Sequence, residues 1–363
     1  MTALAGLKIL DLSTLLPGPY ATLMLADLGA EVLRIIAPNR LDLVKELGPK
    51  VGDSSAAYQY LNRSKNTLVL DLKNEEGIEK IKTLIQEYDV LVEQFRPGVM
   101  QRFGLGYEEL KAINPKLIYC SITGYGQTGP YSLRAGHDIN YLAMAGISEY
   151  SRREGERPNV TGVQIADIAG GSLHSVVGIL AALYQRDKTG QGDWIDISMT
   201  DAAFALNALY GPGQLAANKG PFTEGELLNG GTFYDYYETS DGRYMSVGSL
   251  EPKFYTGLCD ALGLPELKTM PYDSTESKAS ITEAFKQKNF IEWCDIFAVL
   301  DLCVEPVLSI EEAKQHPHFV ERNMIVDVPD DDLGPQPQFA CPIKFQNTNI
   351  KYNWNGSDAK QKQ

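Results

Sequence analysis

Two short segments of the sequence place acid–base side chains beside glycine. His137 follows a glycine and precedes an apolar helical stretch. Asp167 stands thirty residues further on, just before a Gly-Gly pair and a long apolar helix. A histidine titrates near neutral pH, and a carboxylate in apolar surroundings has a raised proton affinity. The two residue types are therefore suited to general acid–base chemistry.

Each of these residues also has a structural interpretation. Asp167 stands where a helix N-cap belongs, and aspartate at that position is favoured by about 1 kcal/mol over alanine. His137, taken alone, is typical of a histidine with a structural role. His174 lies seven residues after Asp167, on the same helix face, and competes with His137 as a partner of Asp167. Spacing alone does not decide which of the two histidines is the partner of Asp167.

Basic residues are concentrated in residues 60–102, where seven lysines and arginines balance seven acids in a chain of net charge −14. Arg63 precedes a predicted strand, Lys73 ends one and Arg96 follows one. Open α/β sheets bind phosphate ligands at strand ends, so these residues are candidate anion contacts. Ordinary solvated charge is the alternative.

The predicted elements indicate an α/β protein. Apolar strands alternate with amphipathic helices, which is typical of a doubly wound parallel sheet covered on both faces. We expect a large α/β domain over residues 1–197, completed by about 325–363. A linker over 198–231 and a smaller α+β domain over 232–324 complete the chain. The predicted strands of the large domain are Leu7–Leu12, Glu31–Ile36, Thr67–Leu72, Val90–Phe95, Leu117–Thr123 and Trp194–Met199.

Composition and the first loop exclude several classes of protein. The loop after the first strand, Ser13–Pro19, lacks GxGxxG, so the phosphate cradle of a dinucleotide site is missing. An acidic chain lacks the basic face that nucleic-acid binding needs. The five cysteines have no CxxC spacing, only His316 and His318 are close together, and no apolar run reaches the ~18 residues of a membrane helix. We therefore expect a cytoplasmic protein without a metal site or a membrane partner.

Nearly the whole chain resembles the class III CoA-transferase (CaiB/BaiF) superfamily and, within it, the α-methylacyl-CoA racemases. GHDINY, followed thirty residues later by the aspartate of QIADIAGGS, points to the racemase branch. The segments that carry the resemblance are LKILDLSTLLPGPYATLMLADLGAEVLRI, FRPGVMQRFGLGYEEL, ITGYGQTGPYSLRAGHDINY, QIADIAGGS, KTGQGDWIDISMTDAA, YYETSDGRYMSVGSLEPKFY and EAKQHPHF.

The resemblance implies an interlocked homodimer whose active site lies between the large domain of one subunit and the small domain of the other. It implies His137 and Asp167 as the two bases of a racemase, with Glu251 supporting the histidine. The substrate would be a 2-methylacyl-CoA of lipid metabolism, with no cofactor beyond its CoA moiety. The expected CoA contacts are Lys73, Arg96, Arg102 and the backbone around Asp138, to which the basic cluster adds Arg63.

One segment departs from the racemase pattern. Racemases have a basic residue after the second strand, where this chain reads Ile35-Ile36-Ala37-Pro38, and Arg40 is the candidate substitute.

Two other functions remain open at this stage. In a CoA-transferase, Asp167 would be the nucleophile that forms an acyl-aspartyl anhydride and then an aspartyl-CoA thioester. Only His137 and Glu251 discriminate, since a transferase needs no second base, and they favour the racemase. A catalytically silent CoA-binding protein is disfavoured because all three residues are present. The acyl group stays open among branched fatty acyl, sterol side-chain and arylpropionyl thioesters.

Overall fold

The computed structural model describes residues 2–38, 41–330 and 332–353. These residues form two compact units. The large unit comprises the described residues of 2–145, 161–206 and 317–353, and the small unit comprises 146–160 and 207–316.

The strands are, in chain order, β1 (Lys8–Asp11), β2 (Glu31–Ile36), β3 (Lys50–Val51), β4 (Ser54–Ser55), β5 (Lys65–Val69), β6 (Val90–Glu93), β7 (Ile118–Thr123), β8 (Trp194–Ser198), β9 (Asp235–Glu238), β10 (Tyr244–Val247), β11 (Val304–Pro306), β12 (Ile325–Val328) and β13 (Gln336–Phe339). The α-helices are α1 (Pro17–Asp27), α2 (Ala56–Asn62), α3 (Glu75–Ile85), α4 (Val99–Arg102), α5 (Tyr107–Ile113), α6 (Asp138–Met144), α7 (Ile147–Tyr150), α8 (His174–Thr189), α9 (Met199–Ala205), α10 (Gly211–Ala217), α11 (Pro252–Leu262), α12 (Thr275–Phe285), α13 (Phe290–Phe297), α14 (Ile310–Ala313) and α15 (Pro317–Glu321). Two 3₁₀ helices, Leu43–Glu46 and Pro265–Thr269, and a π-helix, Ala166–Leu173, complete the elements.

The large unit is built on a six-stranded parallel sheet in the order β5-β2-β1-β6-β7-β8. The order reverses between β1 and β6, which is where open α/β sheets leave a crevice at the carboxyl ends of their strands. Strands β6 and β7 are buried along their whole length, as continuous apolar runs require. The predicted α/β class and parallel sheet are confirmed.

Strand β5 begins and ends earlier than its apolar pattern predicts. Its parallel register with β2 runs from Val32 opposite Lys65 to Ile36 opposite Val69. The Lys65 side chain is buried, and its ammonium group donates to Thr22 Oγ1 and lies 3.4 Å from a carboxylate oxygen of the fully buried Asp11. A buried ion pair thus replaces the apolar residue that a strand pattern would require at this position.

The small unit contains the antiparallel sheet β11-β10-β9, in which β9 and β10 form a hairpin. Gly242 in its turn has a φ of +76°, a conformation that favours glycine. Helices α11, α12 and α13 cover one face of the sheet and bury an aromatic core that includes Phe233, Tyr237, Phe285 and Trp293.

The observed units differ from the predicted domain boundaries in three places. The large unit resumes at residue 317, whereas the prediction extends the small domain to 324. Residues 146–160, predicted in the large domain, belong to the small unit because Arg153 pairs with Glu224 and Asp235 of that unit. The predicted linker, residues 198–231, is structured: α9 packs in the large unit, and residues 207–231 belong to the small unit. A Gly-rich composition predicts a linker, but it does not reveal the ion pairs of Arg153 with Glu224 and Asp235.

Within the described chain, Ala166–Thr189 is long and apolar enough, by length and composition, to cross a membrane. Part of its surface is buried in the large unit, with Ser175, Val176 and Ile179 inside. This is typical of the core helix of a globular domain.

Candidate active site

His137 is the N-cap residue of α6, at the end of the loop that follows β7. Its backbone is extended, with φ −132° and ψ 173°, and its side chain is exposed. Asp138 is the first residue of the helix. An imidazole at this position is accessible to a ligand, as an acid–base residue requires.

Asp167 lies in the π-helix that precedes α8, and its side chain is partly buried. The helix starts before Asp167, so the prediction of an N-cap at this residue is wrong. Its backbone N–H donates to Asp138 Oδ1 over 3.0 Å. This bond joins the start of the π-helix to the start of α6, so the structure brings the His137 and Asp167 segments together.

Burial and, as the smaller cause, the negative charge of Asp138 together raise the pKa of the Asp167 carboxyl to about 6. A carboxyl that titrates near neutral pH can both accept and return a proton under physiological conditions.

The two glycines after Asp167 allow the π-helix to pack closely on its neighbours. A Cβ on Gly171 would lie 2.9 Å from Pro17 Cβ, and one on Gly170 would lie 3.1 Å from the carbonyl oxygen of Met199. Ser172 Oγ also donates to the Pro17 carbonyl over 2.7 Å. The Gly-Gly motif therefore fixes the Asp167 segment against α1 and α9.

His174 is the first residue of α8 and is exposed. Its Nδ1 lies 2.6 Å from the carbonyl oxygen of Ala169, and because a carbonyl only accepts, Nδ1 carries the proton. This nitrogen is thus used locally, by the π-helix that precedes α8. The Asp138–Asp167 bond instead links Asp167 to the His137 segment, which favours His137 as its partner.

Glu251 belongs to the small unit, where it is the exposed N-cap residue of α11. Pro252 follows it at the first helical position, which suits the fixed φ of proline.

A cavity of about 750 Å³ opens in the large unit at the carboxyl ends of β1, β2 and β5. Its apolar walls suit a flat ring system, and lysines bring positive charge for an anion. Apolar lining residues include Leu12, Ile35, Ile36, Val69, Leu72, Phe95 and Phe103, and polar ones include Arg34, Asp42, Lys45, Tyr58, Asp71 and Lys73.

Three of the predicted CoA contacts are exposed, but their positions differ. Lys73 lines the cavity from the loop that follows β5. Arg96 and Arg102 are exposed side chains outside its lining, in the loop after β6 and in α4.

Arg63 does not lie at the cavity. Its side chain is fully buried, pairs with Asp27 over 2.6 Å and donates to the Phe339 carbonyl at 2.6 Å. It thereby ties β13 to α1 and α2, so the structure gives Arg63 a structural role in place of the predicted CoA contact. A basic residue beside a strand looks the same in sequence whether it faces solvent or a buried acid.

The sequence reasoning missed the buried guanidinium of Arg34. It donates to Asp42 Oδ2 over 3.0 Å and to the Tyr58 hydroxyl over 2.5 Å, while its Nε is buried with no partner among the described residues. A charged residue inside the apolar run EVLRII was the available signal. Ala37 lines the same cavity, and Arg40 lies outside the described residues.

The large unit thus combines a cavity at the carboxyl ends of its parallel strands with a carboxyl of raised pKa, Asp167, whose backbone is bonded to the start of α6. The model of CoA-transferase family III matches residues 4–356, so the chain belongs to this family.

Named relatives include both racemases and transferases. The chain is 39% identical over 341 residues to "Alpha-methylacyl-CoA racemase" from Homo sapiens, covering 92% of this chain and 85% of the relative. It is 35% identical over 333 residues to "Acetyl-CoA:oxalate CoA-transferase" from Acetobacter aceti, covering 88% and 85%. Among solved structures, a CAIB/BAIF family protein from Brucella suis superposes with a TM-score of 0.84 at 32% identity, covering 96% and 94%.

Proposed function

We propose that the protein is a racemase that inverts the α-carbon of 2-methylacyl-CoA thioesters. The observation that carries the proposal is the hydrogen bond between the Asp167 N–H and Asp138 Oδ1, because it holds a titratable carboxyl beside the segment of an exposed histidine. Similarity to the human racemase over nine-tenths of the chain supports it.

In the proposed reaction, one of the two residues takes the α-proton, and the C–H electron pair moves into the thioester to form an enolate. The other residue returns a proton to the opposite face, which inverts the carbon. The enolate oxygen needs a hydrogen-bond donor, and one such donor is worth about 10²-fold in rate. The Asp167 N–H is already bonded to Asp138, so the Asp138 N–H, at the start of α6, is our candidate.

We propose that the 750 Å³ cavity holds the nucleotide end of CoA, with its apolar walls against adenine and Lys73 against a phosphate. Arg96 and Arg102, outside the cavity, would contact the rest of the CoA chain. The reaction needs no group beyond the CoA moiety of the substrate.

We also propose a homodimer in which Glu251 supports His137 of the other subunit. An exposed apolar stripe runs from the end of the π-helix along α8, and it consists of Leu173, Val177, Leu180 and Tyr184. Residues at this spacing lie on one helix face, and a contiguous apolar face of this kind is typical of a protein contact.

Free thiols at all five cysteines are compatible with the reducing cytoplasm, where we expect the enzyme.

A CoA-transferase is the second candidate, since a transferase from Acetobacter aceti is nearly as similar as the human racemase. Asp167 would then attack the thioester and carry CoA between carboxylic acids. The two functions share Asp167, so mutation of that residue alone does not distinguish them.

The test is to incubate a 2-methylacyl-CoA with the protein in D₂O, without an acid acceptor, and to follow the α-carbon by NMR. Deuterium at the α-carbon with loss of stereochemical purity supports the racemase. Absence of exchange across several acyl chains, with CoA transfer once free carboxylic acids are added, would assign the protein to the transferases.

A further inference from the structure

The peptide group between Gly136 and His137 is held at both ends by side chains of α6. Its N–H, which belongs to His137, donates to Asn140 Oδ1 over 3.0 Å. Its carbonyl oxygen, which belongs to Gly136, accepts the hydroxyl of Tyr141 over 2.6 Å. Because a peptide group is planar, bonds at both of its polar ends fix the orientation of the whole plane.

The position of the Tyr141 hydroxyl is itself fixed by packing. The side chain is only 4% exposed, and its ring meets that of Tyr125 edge-on, with centroids 5.3 Å apart. A Cβ on Gly136 would lie 2.7 Å from the Tyr141 ring, and one on Gly124 would lie 2.6 Å from its hydroxyl. Glycine at both positions therefore allows the ring to lie against the loop that ends at His137.

The imidazole of His137 has no comparable support from burial, because the side chain is exposed. An exposed N-cap histidine on a free loop would sample many directions, whereas a general base must hold one direction toward its proton. The structure restrains the backbone on both sides of the histidine. The carbonyl of His137 accepts the Asn140 N–H over 2.8 Å, as the first turn of α6 requires. Side chains hold the peptide group before the histidine.

We propose that Asn140 and Tyr141 are positioning residues that direct the His137 imidazole toward the α-carbon of the substrate. They act through the Gly136–His137 peptide group and not by touching the substrate. The inference rests on the proposed function, since His137 is a base only in that reaction. Burial and the charges of Asp167 and Asp138 raise the pKa of Tyr141, which keeps its hydroxyl a donor at neutral pH.

The test compares single-group changes at the two ends of the peptide group. Tyr141→Phe keeps the ring and removes the donor, and Asn140→Leu removes the acceptor at an exposed position that does not endanger the fold. We expect either variant to lower kcat for α-proton exchange about 10-fold with KM within about twofold, because a misaligned base affects the chemical step. Asn140→Asp retains the acceptor oxygen and should keep most of the rate.

Tyr131→Phe is the matched control. It also deletes a tyrosine hydroxyl, but on a ring that packs against Tyr125, with centroids 5.5 Å apart. This variant should leave kcat unchanged. Equal kcat for wild type, Tyr141→Phe and Asn140→Leu would overturn the inference, and so would an equal loss in Asn140→Leu and Asn140→Asp.

Amide hydrogen exchange of the segment around residue 137 separates this inference from the proposed function. We expect the His137 amide to exchange faster in Asn140→Leu than in wild type, whatever reaction the enzyme performs. An unchanged exchange rate would overturn the positioning role. A wild-type enzyme without α-proton exchange, but with a protected His137 amide, would contradict the racemase proposal and leave the backbone restraint standing.

Discussion

The backbone N–H of Asp167 and the carboxylate of Asp138 are joined over 3.0 Å, at the point where the π-helix and α6 both begin. The two carboxylates are close enough for the charge of Asp138 to raise the pKa of Asp167, which burial has already raised. A single contact thus sets both the position and the proton affinity of the proposed acid–base residue. Through it, two segments separated by thirty residues lie side by side.

Replacing the charge of Asp138 should change the pH dependence of the reaction. Asp138→Asn keeps an oxygen that can accept the Asp167 N–H but removes the negative charge, so the pKa of Asp167 should fall below about 6 toward its ordinary value of 3.8. The acidic limb of the exchange rate against pH should move to lower pH, because Asp167 stays ionised further down. A limb at the same pH in both proteins would show that Asp138 does not tune Asp167.

Asp167→Asn should stop both racemisation and CoA transfer, because each reaction needs the carboxylate. The asparagine side chain has almost the same shape and the backbone bond to Asp138 does not involve it, so the fold should be retained. Activity assays with and without added carboxylic acids, alongside a thermal melt, measure this. Survival of either activity in a folded variant would mean that Asp167 acts only in the structure.

Arg63 should govern stability and not CoA affinity. Arg63→Met leaves Asp27 as an unpaired buried charge and removes the bond to the Phe339 carbonyl, which should cost about 3–5 kcal/mol of unfolding free energy. The double variant Asp27→Asn with Arg63→Met should recover part of that loss. Urea unfolding gives the free energies. A raised KM for acyl-CoA with normal stability in Arg63→Met would instead support the prediction that Arg63 contacts CoA.

Lys73 should contribute to binding of the nucleotide end of CoA, since it lines the cavity. Lys73→Met should raise the Kd for CoA about 10-fold through loss of a charge-assisted contact, and the effect should shrink at high salt. Lys80→Met, which removes an exposed lysine from α3, is the control with the same change in net charge. Calorimetric titration with CoA would detect the difference. Equal Kd values for Lys73→Met and Lys80→Met would show that Lys73 does not contact CoA.

The proposed partnership of Glu251 with His137 of another subunit predicts complementation. The variants His137→Ala and Glu251→Gln should each be inactive in the racemase assay. Co-expressed, they should regain activity, because one of the two sites in a mixed dimer would hold both wild-type residues. An isolated mixed dimer without activity would contradict the pairing across subunits, and full activity of Glu251→Gln alone would place Glu251 outside the site.

Much of the large unit follows from the sequence because its central strands are continuous apolar runs, which predict a buried parallel sheet. The shift of β5 was beyond that reasoning, since a buried lysine paired with Asp11 has no apolar signature. Arg63 shows the same difficulty: a basic residue beside a strand predicts an anion contact, and only the fold shows that it pairs with the buried Asp27.

The candidate site was predicted in part. Residue types made His137 and Asp167 candidates and left His174 open as an alternative. The fold adds the Asp138–Asp167 bond, which brings the segments of the first two together. The π-helix was not predicted, because its extra residue per turn leaves the apolar pattern of Ala166–Thr189 largely unchanged.

The central claim is that two bases act on opposite faces of one carbon. It is tested most directly by giving the enzyme a single enantiomer of a 2-methylacyl-CoA in D₂O and separating the two enantiomers at early times. Two bases predict deuterium in the newly formed enantiomer from the start and little in the recovered substrate, and His137→Ala and Asp167→Asn should each abolish that inversion. Deuterium that enters the recovered substrate without inversion, or inversion that survives in either variant, would contradict the account.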